Sequence, residues 1–178
     1  MTFSMPSSQL LDAAGVELAI ERLSDTLVLG LKGVSPIFLA GIPTRGVVLA
    51  KRLQSSLAVR GVTCDCGAVD IAMYRDDLGL REEVVVVRDT KLPINLESWT
   101  VVLVDDVHQT GRTARAAIEA VLGFGRPRRI FYAVLVDRGG RELPIRPDFT
   151  ATELSVGANS QMRVRLIEVD GEEGIFEE

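Results

Sequence analysis

Three short runs in this chain are apolar at every position, and no other feature restricts its fold as much. They are residues 36–42, 101–104 and 130–136, which read PIFLAGI, VVLV and IFYAVLV. Strands of a parallel sheet are apolar throughout because helices cover both faces, whereas a strand with one wet face alternates apolar and polar residues. The three runs therefore predict central strands of an α/β fold.

Stretches with helical spacing separate these runs. One stripe comprises Val16, Ile20, Leu23 and Leu27, a second Leu49, Leu53 and Leu57, and a third Ala116, Ile118, Ala120 and Val121. Asp12 stands where it would cap the first helix. Further strands are expected at 66–74 and 162–169. The alternation predicts a mainly parallel central sheet flanked by helices.

The composition restricts the class of protein. A chain of 178 residues is expected to form one domain, 1–178, since domains span roughly 100–200 residues. No apolar run approaches the roughly 20 residues that a membrane helix needs, and the N-terminus lacks a signal peptide's features, so we expect a cytoplasmic protein. Cys64, Cys66 and the single histidine do not make a zinc set, so we expect no metal site formed by the protein alone.

The charge is unevenly distributed around a net value of −5. Residues 168–178 hold six acids and no base, and we expect this tail to be solvated. Residues 126–146 hold six arginines against two acids. This second segment predicts either a local basic patch or an ordinary salt-bridged surface.

Residues 101–113 read VVLVDDVHQTGRT, so two acids and a short loop connect a buried strand to a helix. Open α/β sheets bind ligands at this junction. A phosphate at the helix N-terminus would be held by the amides and hydroxyls of Thr110, Gly111, Arg112 and Thr113. Asp105 and Asp106 suit sugar hydroxyls or a metal. The segment predicts a ligand that carries a phosphate beside a polyol.

A second loop, GIPTRG at 41–46, also follows a strand and opens a helix. Arg45 can pair with diphosphate oxygens, and the glycines allow close backbone approach. Taken alone, the loop is equally well explained as an ordinary turn. Coupled with the first motif, it predicts a diphosphate site formed by Thr44, Arg45 and Gly46.

The DDVHQTGRT segment resembles the phosphoribosyl-diphosphate (PRPP) motif of type I phosphoribosyltransferases. That resemblance implies the type I fold with a flexible β-hood. It also implies that Asp105 and Asp106 engage the ribose hydroxyls and that residues 110–113 hold the 5′-phosphate. The diphosphate would bind to the loop at 41–46.

The YRDDL segment at 74–78 and RELPIRPDF at 141–149 narrow the resemblance to the PyrR family of pyrimidine operon attenuators and uracil phosphoribosyltransferases. The family converts uracil and PRPP to UMP and diphosphate with Mg²⁺, which PRPP would carry to a position near Asp105 and Asp106. The resemblance places Arg138 beside uracil, so the catalytic residues would be Asp105, Asp106 and Arg138. It also implies a homodimer or higher homo-oligomer.

The resemblance further implies a hood at about 74–99 that excludes water from the reaction. Tyr74, Arg75 and Arg88 belong to it, and either arginine could reach the diphosphate. Gln109 stands where purine-specific relatives usually carry an acid, which disfavours purine substrates. We expect His108 to face solvent or pack within the loop rather than act in catalysis.

The family's second activity is UMP-responsive binding of operon leader RNA. Arg141 and Arg146 remain as candidate RNA contacts, but Asp25, Gly140 and Thr152 depart from the family pattern. These departures remove donors and positive charge from the RNA-binding face. We therefore expect the transferase activity to be kept and RNA binding to be weakened or to use other contacts. The alternatives are a salvage enzyme without RNA binding, or a phosphoribosyltransferase for another base.

Overall fold

The computed structural model describes residues 8–76, 89–157 and 160–178. Its central sheet has five parallel strands in the order β3-β2-β4-β5-β6. They are β2 (Ile37–Gly41), β3 (Asp65–Ala68), β4 (Thr100–His108), β5 (Arg129–Asp137) and β6 (Phe149–Glu153). The three apolar runs are the neighbouring strands β2, β4 and β5, so the prediction of a parallel central sheet is confirmed.

The helices are α1 (Ala13–Gly30), α2 (Arg45–Val59), α3 (Arg112–Phe124) and the short α4 (Ile167–Asp170). The Asp12 carboxylate accepts a hydrogen bond from the N–H of Gly15 at 2.9 Å, which confirms the predicted cap of α1. None of the helices in the described ranges combines the length and the apolar composition that crossing a bilayer requires.

Both faces of the sheet are buried. Val102 and Val104 of β4 pack with α1 and α2, whereas Val101 and Leu103 pack with α3. All four valine and leucine side chains are fully buried. Adjacent residues of a strand point to opposite faces, so a strand covered on both sides must be apolar at every position.

Two strand predictions need correction. The strand expected at 66–74 ends at Ala68, and residues 72–74 form a 3-10 turn that begins where the Asp70 carboxylate accepts the N–H of Ala72 at 2.9 Å. The run at 162–169 divides into β7 (Met162–Arg165) and α4. At the second place the Asp170 carboxylate accepts the N–H of Leu166 at 2.8 Å, so in both cases an aspartate side chain stabilises a helical turn where sequence periodicity alone would extend a strand.

The prediction of a solvated acidic tail is wrong. Residues Gly174–Glu177 form β8, the middle strand of an antiparallel sheet with the order β1-β8-β7, in which β1 is Ser8–Leu11. Ile175 is fully buried. Glu168 and Glu173 both pair with Arg52 of α2 at 2.6 Å. The tail packs against the rest of the chain because its acids form ion pairs with distant arginines and Ile175 is buried in the core.

Candidate active site

The two predicted ligand loops meet at one edge of the central sheet. β2 and β4 are parallel neighbours, so the loops that follow them begin side by side. The N–H of Ile42 donates to the carbonyl oxygen of Val104 at 2.9 Å. A Cβ atom on Gly46 would lie only 2.3 Å from that same oxygen. The approach of α2 to β4 therefore requires glycine at position 46.

Asp105 and Asp106 lie at this edge in different environments. Asp105 is 6% exposed, and its Oδ1 accepts the N–H of Asp106 at 2.9 Å. Asp106 is half-buried, and its Oδ1 accepts the N–H of Val107 at 2.9 Å. Burial, followed by the charge of Asp106, raises the pKa of Asp105 well above its usual range. Asp106 is therefore the more accessible of the two side chains. Asp105 keeps its proton to a higher pH than an ordinary aspartic acid does.

The loop at 110–113 has the backbone shape of an anion site. Gly111 has φ of +90° directly before α3, and the N–H of Arg112 donates to Thr110 Oγ1 at 3.2 Å. The carbonyl of Thr110 accepts the N–H groups of Glu142 and Leu143, both at 3.0 Å, which fixes the loop from behind. Free amides in the first turn of α3 add to the positive end of the helix dipole.

The side chain of Arg112 is engaged outside this loop. Its guanidinium pairs with Asp76 at 2.6 Å and with Glu142 at 2.9 Å. If residue 112 binds phosphate as predicted, its backbone amide is the available group, because the guanidinium already pairs with two carboxylates.

Arg138 follows β5 and lines a cavity of about 200 Å³ together with Gln109, Thr110 and Met162. Its N–H donates to the carbonyl of His108 at 3.0 Å, and its Nη2 donates to the carbonyl of Ser160 at 3.1 Å. The predicted base-binding residue thus borders a cavity that reaches the loop at 110–113.

His108 is only 1% exposed, so of its two expected positions the packed one is observed. Its ring lies edge-on to Tyr132 with centroids 5.6 Å apart. Among the described residues, Nε2 has no hydrogen-bond partner. Burial lowers the pKa of His108, which favours the neutral imidazole at physiological pH.

Arg45 has a partner that the sequence did not indicate. Its Nη2 donates to Asp170 Oδ1 at 2.6 Å and its Nε donates to Asp170 Oδ2 at 3.0 Å. Asp170 belongs to the tail that the sequence predicts to be solvated, and 125 residues separate the pair. The one sequence feature that relates to this contact is that Asp170 lies in a segment with six acids and no base.

The hood residues divide into three cases. Tyr74 lies against α3, since a Cβ on Gly123 would be 2.6 Å from its hydroxyl, and its carbonyl accepts Arg115 Nη2 at 2.8 Å. Arg75 borders a small cavity with Thr110 and Thr113. Arg88 lies outside the described residues, as does the rest of the expected hood between residues 77 and 87.

Among the described residues, no three His, Cys, Asp or Glu side chains come together as a metal-binding group. Cys64 and Cys66 are free thiols, and burial raises the pKa of Cys64 to about 11. These cysteines are therefore poor candidates for nucleophiles or metal ligands.

The fold is similar to solved phosphoribosyltransferases. A hypoxanthine phosphoribosyltransferase from Trypanosoma cruzi superposes with a TM-score of 0.69 at 18% identity, covering 94% of this chain and 92% of that one. An HGPRT-ase from Leishmania tarentolae in complex with GMP gives 0.67 at 16% identity, with 98% of each chain covered. These likenesses establish the type I phosphoribosyltransferase fold.

Sequence comparison identifies nearer relatives. Residues 6–164 match the family described as "Phosphoribosyl transferase domain". A "Bifunctional protein PyrR" from Roseiflexus sp. (strain RS-1) is 45% identical over 174 residues, covering 97% of this chain and 95% of the relative. The protein of the same name from Thermus aquaticus is 44% identical over 172 residues, covering 94% of this chain and 93% of the relative. The chain therefore belongs to the phosphoribosyl transferase domain family and, within it, to the PyrR family.

Proposed function

We propose that this protein transfers the phosphoribosyl group of PRPP to N1 of uracil, forming UMP and diphosphate. One observation carries the proposal: the diphosphate-type loop at 41–46 and the acid pair of β4 meet at a single sheet edge through Ile42 and Val104. PRPP carries a diphosphate, a ribose and a 5′-phosphate in that order. The loop at 41–46, the acid pair and the loop at 110–113 offer one group for each of these three parts.

Each residue then has a role set by its chemistry. Asp106, with Asp105 behind it, accepts hydrogen bonds from the ribose 2′- and 3′-hydroxyls. The amides at the start of α3 hold the 5′-phosphate, and Arg45 holds the diphosphate leaving group. Arg138 orients uracil, and Arg75 closes over the site. These groups act by positioning and by neutralising charge as it develops.

The reaction forms the N1–C1′ bond and breaks the bond between C1′ and the diphosphate oxygen, while the proton of N1 passes to the released diphosphate or to water. The carboxylate oxygens of Asp105 and Asp106 are hard ligands that would hold a Mg²⁺ ion carried in by PRPP, and that ion would supply positive charge to the diphosphate. The protein's own part is to hold the ribose so that C1′ faces both uracil and the departing group.

The test is product formation from PRPP with uracil, hypoxanthine, guanine and orotate in parallel. UMP formation from uracil, with no product from the purines, is the expected result. Turnover of a purine or orotate without uracil would contradict the proposal. Asp106→Asn should lower turnover by orders of magnitude, and Asp65→Asn, a matched change on an exposed β3 residue, should leave it unaltered.

We also propose that the protein retains a UMP-responsive RNA-binding role, weaker than the family pattern implies. Arg141 and Arg146 are exposed, and neither forms an ion pair with a residue in the described ranges. Asp25, by contrast, pairs with Arg60 at 2.9 Å, so the acid neutralises a nearby cation.

Binding to the pyrimidine operon leader RNA, with and without UMP and at two salt concentrations, tests this role. The double variant Arg141→Gln/Arg146→Gln should bind the RNA more weakly and with a smaller salt dependence. With fewer arginine–phosphate contacts, fewer counterions are released when the RNA binds. Uracil turnover should stay nearly unchanged. Equal loss of both activities would assign these arginines to the active site instead.

A further inference from the structure

The orientation of Arg45 is set from outside its own loop. Two of its nitrogens, Nε and Nη2, donate to the two carboxylate oxygens of Asp170 at 3.0 and 2.6 Å. This side-on geometry is the bidentate pairing that guanidinium and carboxylate groups form best. Arg45 is the first residue of α2 and directly follows the loop residues that precede the helix.

The pairing leaves one edge of the guanidinium unused. Among the described residues, none accepts a hydrogen bond from Nη1 of Arg45. The Nη1 group and the second proton of Nη2 together form another fork, of the kind that binds two oxygens of one anion. The negative charge of Asp106 contributes to the raised pKa of Arg45, so the arginine lies within electrostatic reach of the acid pair.

Asp170 is itself firmly held. Its Oδ2 also accepts the N–H of Leu166 at 2.8 Å, across the single turn of α4. The hydrogen bond from Arg45 lowers the pKa of Asp170, so the carboxylate is charged at neutral pH. Arg52 pairs with Glu168 and Glu173 on either side of it, which docks this part of the chain onto α2.

We propose that Asp170 is a positioning residue for the leaving group: it holds Arg45 side-on so that the remaining guanidinium edge receives the diphosphate. The inference rests on the proposed function, in which the loop at 41–46 binds diphosphate. An unrestrained arginine loses rotamer freedom when it binds an anion, whereas one already held by a carboxylate loses less.

The direction in which Asp170→Asn changes diphosphate affinity distinguishes positioning of Arg45 from simple competition for it. Asp170 is negatively charged and lies next to the proposed diphosphate site. If its charge only competed with diphosphate for Arg45, Asp170→Asn would tighten diphosphate binding. If Asp170 positions Arg45, the same variant weakens it, because the asparagine amide cannot accept from both Arg45 nitrogens and Leu166.

The experiment compares magnesium diphosphate and UMP binding by calorimetry for the wild type, Asp170→Asn and Glu168→Gln. UMP lacks the diphosphate, so its affinity reports an intact site. We expect Asp170→Asn to bind diphosphate about tenfold or more weakly and to raise KM for PRPP similarly, with UMP affinity within twofold. Glu168→Gln makes the same charge change on the same turn but leaves Glu173 paired with Arg52, so it should alter neither ligand.

An Arg45→Lys background completes the test. If Asp170 acts through Arg45, Asp170→Asn has little further effect once the guanidinium fork is gone. Equal or tighter diphosphate binding by Asp170→Asn overturns the inference, as does a full additional loss in the Arg45→Lys background. If Asp170→Asn does not fold, Asp170→Glu, which keeps the charge but moves it outward, should weaken diphosphate selectively. Failure of the wild type to bind PRPP or diphosphate would refute the proposed function instead.

Discussion

The guanidinium of Arg112 pairs with the carboxylate of Asp76 at 2.6 Å across 36 residues of sequence. This ion pair ties the start of α3 to the first residues of the expected hood. Arg115, one turn along α3, binds the carbonyl of Tyr74 at 2.8 Å in the same segment. The described part of the expected hood is therefore anchored beside the proposed phosphate loop.

The first prediction concerns how the 5′-phosphate is held. If backbone amides bind it, Arg112→Gln should change UMP affinity by less than about threefold. Thr110→Val should weaken UMP binding by about tenfold, because it removes the hydroxyl that accepts the N–H of Arg112 and shapes the loop. Calorimetric titration with UMP measures both, and Thr152→Val is the matched control. A larger loss in Arg112→Gln than in Thr110→Val would show that the guanidinium leaves Asp76 to bind phosphate.

The second prediction concerns the close approach at Gly46. A Cβ there would lie 2.3 Å from the carbonyl oxygen of Val104, so Gly46→Ala must push α2 away from β4. We expect a loss of about 2–4 kcal/mol in the free energy of unfolding, as for other large steric changes, together with loss of PRPP binding. Denaturant unfolding measures the stability.

Gly33→Ala provides the control for that change. Gly33, unlike Gly46, has a left-handed backbone, with φ of +75°, and an added Cβ there would meet no atom within 4 Å. We expect it to cost about 1 kcal/mol from backbone strain alone and to leave PRPP binding intact. A similar cost in both variants would mean that the contact with β4 relaxes without difficulty.

The third prediction concerns the pH dependence of stability. Burial lowers the pKa of His108 below its ordinary value of 6.5 in the folded chain. As the pH falls through about 6.5, the unfolded chain binds a proton that the folded chain does not, so the free energy of unfolding decreases. His108→Leu should lose this decrease relative to the wild type. Asp105, whose raised pKa acts in the opposite direction, is common to both proteins and drops out of the difference.

NMR provides an independent measurement of the same group. His108 is the only histidine in the chain, so its imidazole resonances are assigned without ambiguity in protein free of a histidine tag. We expect its titration midpoint to lie below 6.5. A midpoint at or above that value would show that the buried ring opens to solvent or gains an acceptor for a second proton.

The fourth prediction concerns the acid pair. Asp105→Asn and Asp106→Asn should each reduce uracil turnover by at least about a hundredfold, because each removes a carboxylate from the ribose site. Asp106→Asn should raise KM for PRPP more, since Asp106 is accessible and Asp105 is 6% exposed. Thermal unfolding should show that both variants remain folded, and steady-state kinetics measure the turnover and the KM for PRPP. A mild effect of both substitutions would refute their assigned role.

The strands β2, β4 and β5, the cap at Asp12 and the loops that connect β2 to α2 and β4 to α3 could be predicted from sequence because local rules govern them. A strand buried on both faces has to be apolar throughout, and a loop that binds phosphate at a helix start needs small residues and free amides. For the same reason, the positions of Thr110 and Gly111 before α3 followed from the VDDVHQTGRT segment alone.

Only the tertiary structure decided how distant charges pair. The acids of the C-terminal segment are solvated by every local rule, yet Asp170 holds Arg45 and Glu173 holds Arg52 from more than 115 residues away. The unequal burial of Asp105 and Asp106 is equally invisible in sequence, since both are aspartates on one strand. Ion pairing and burial depend on which surfaces the folded chain brings together, whereas strand and loop patterns are encoded residue by residue along it.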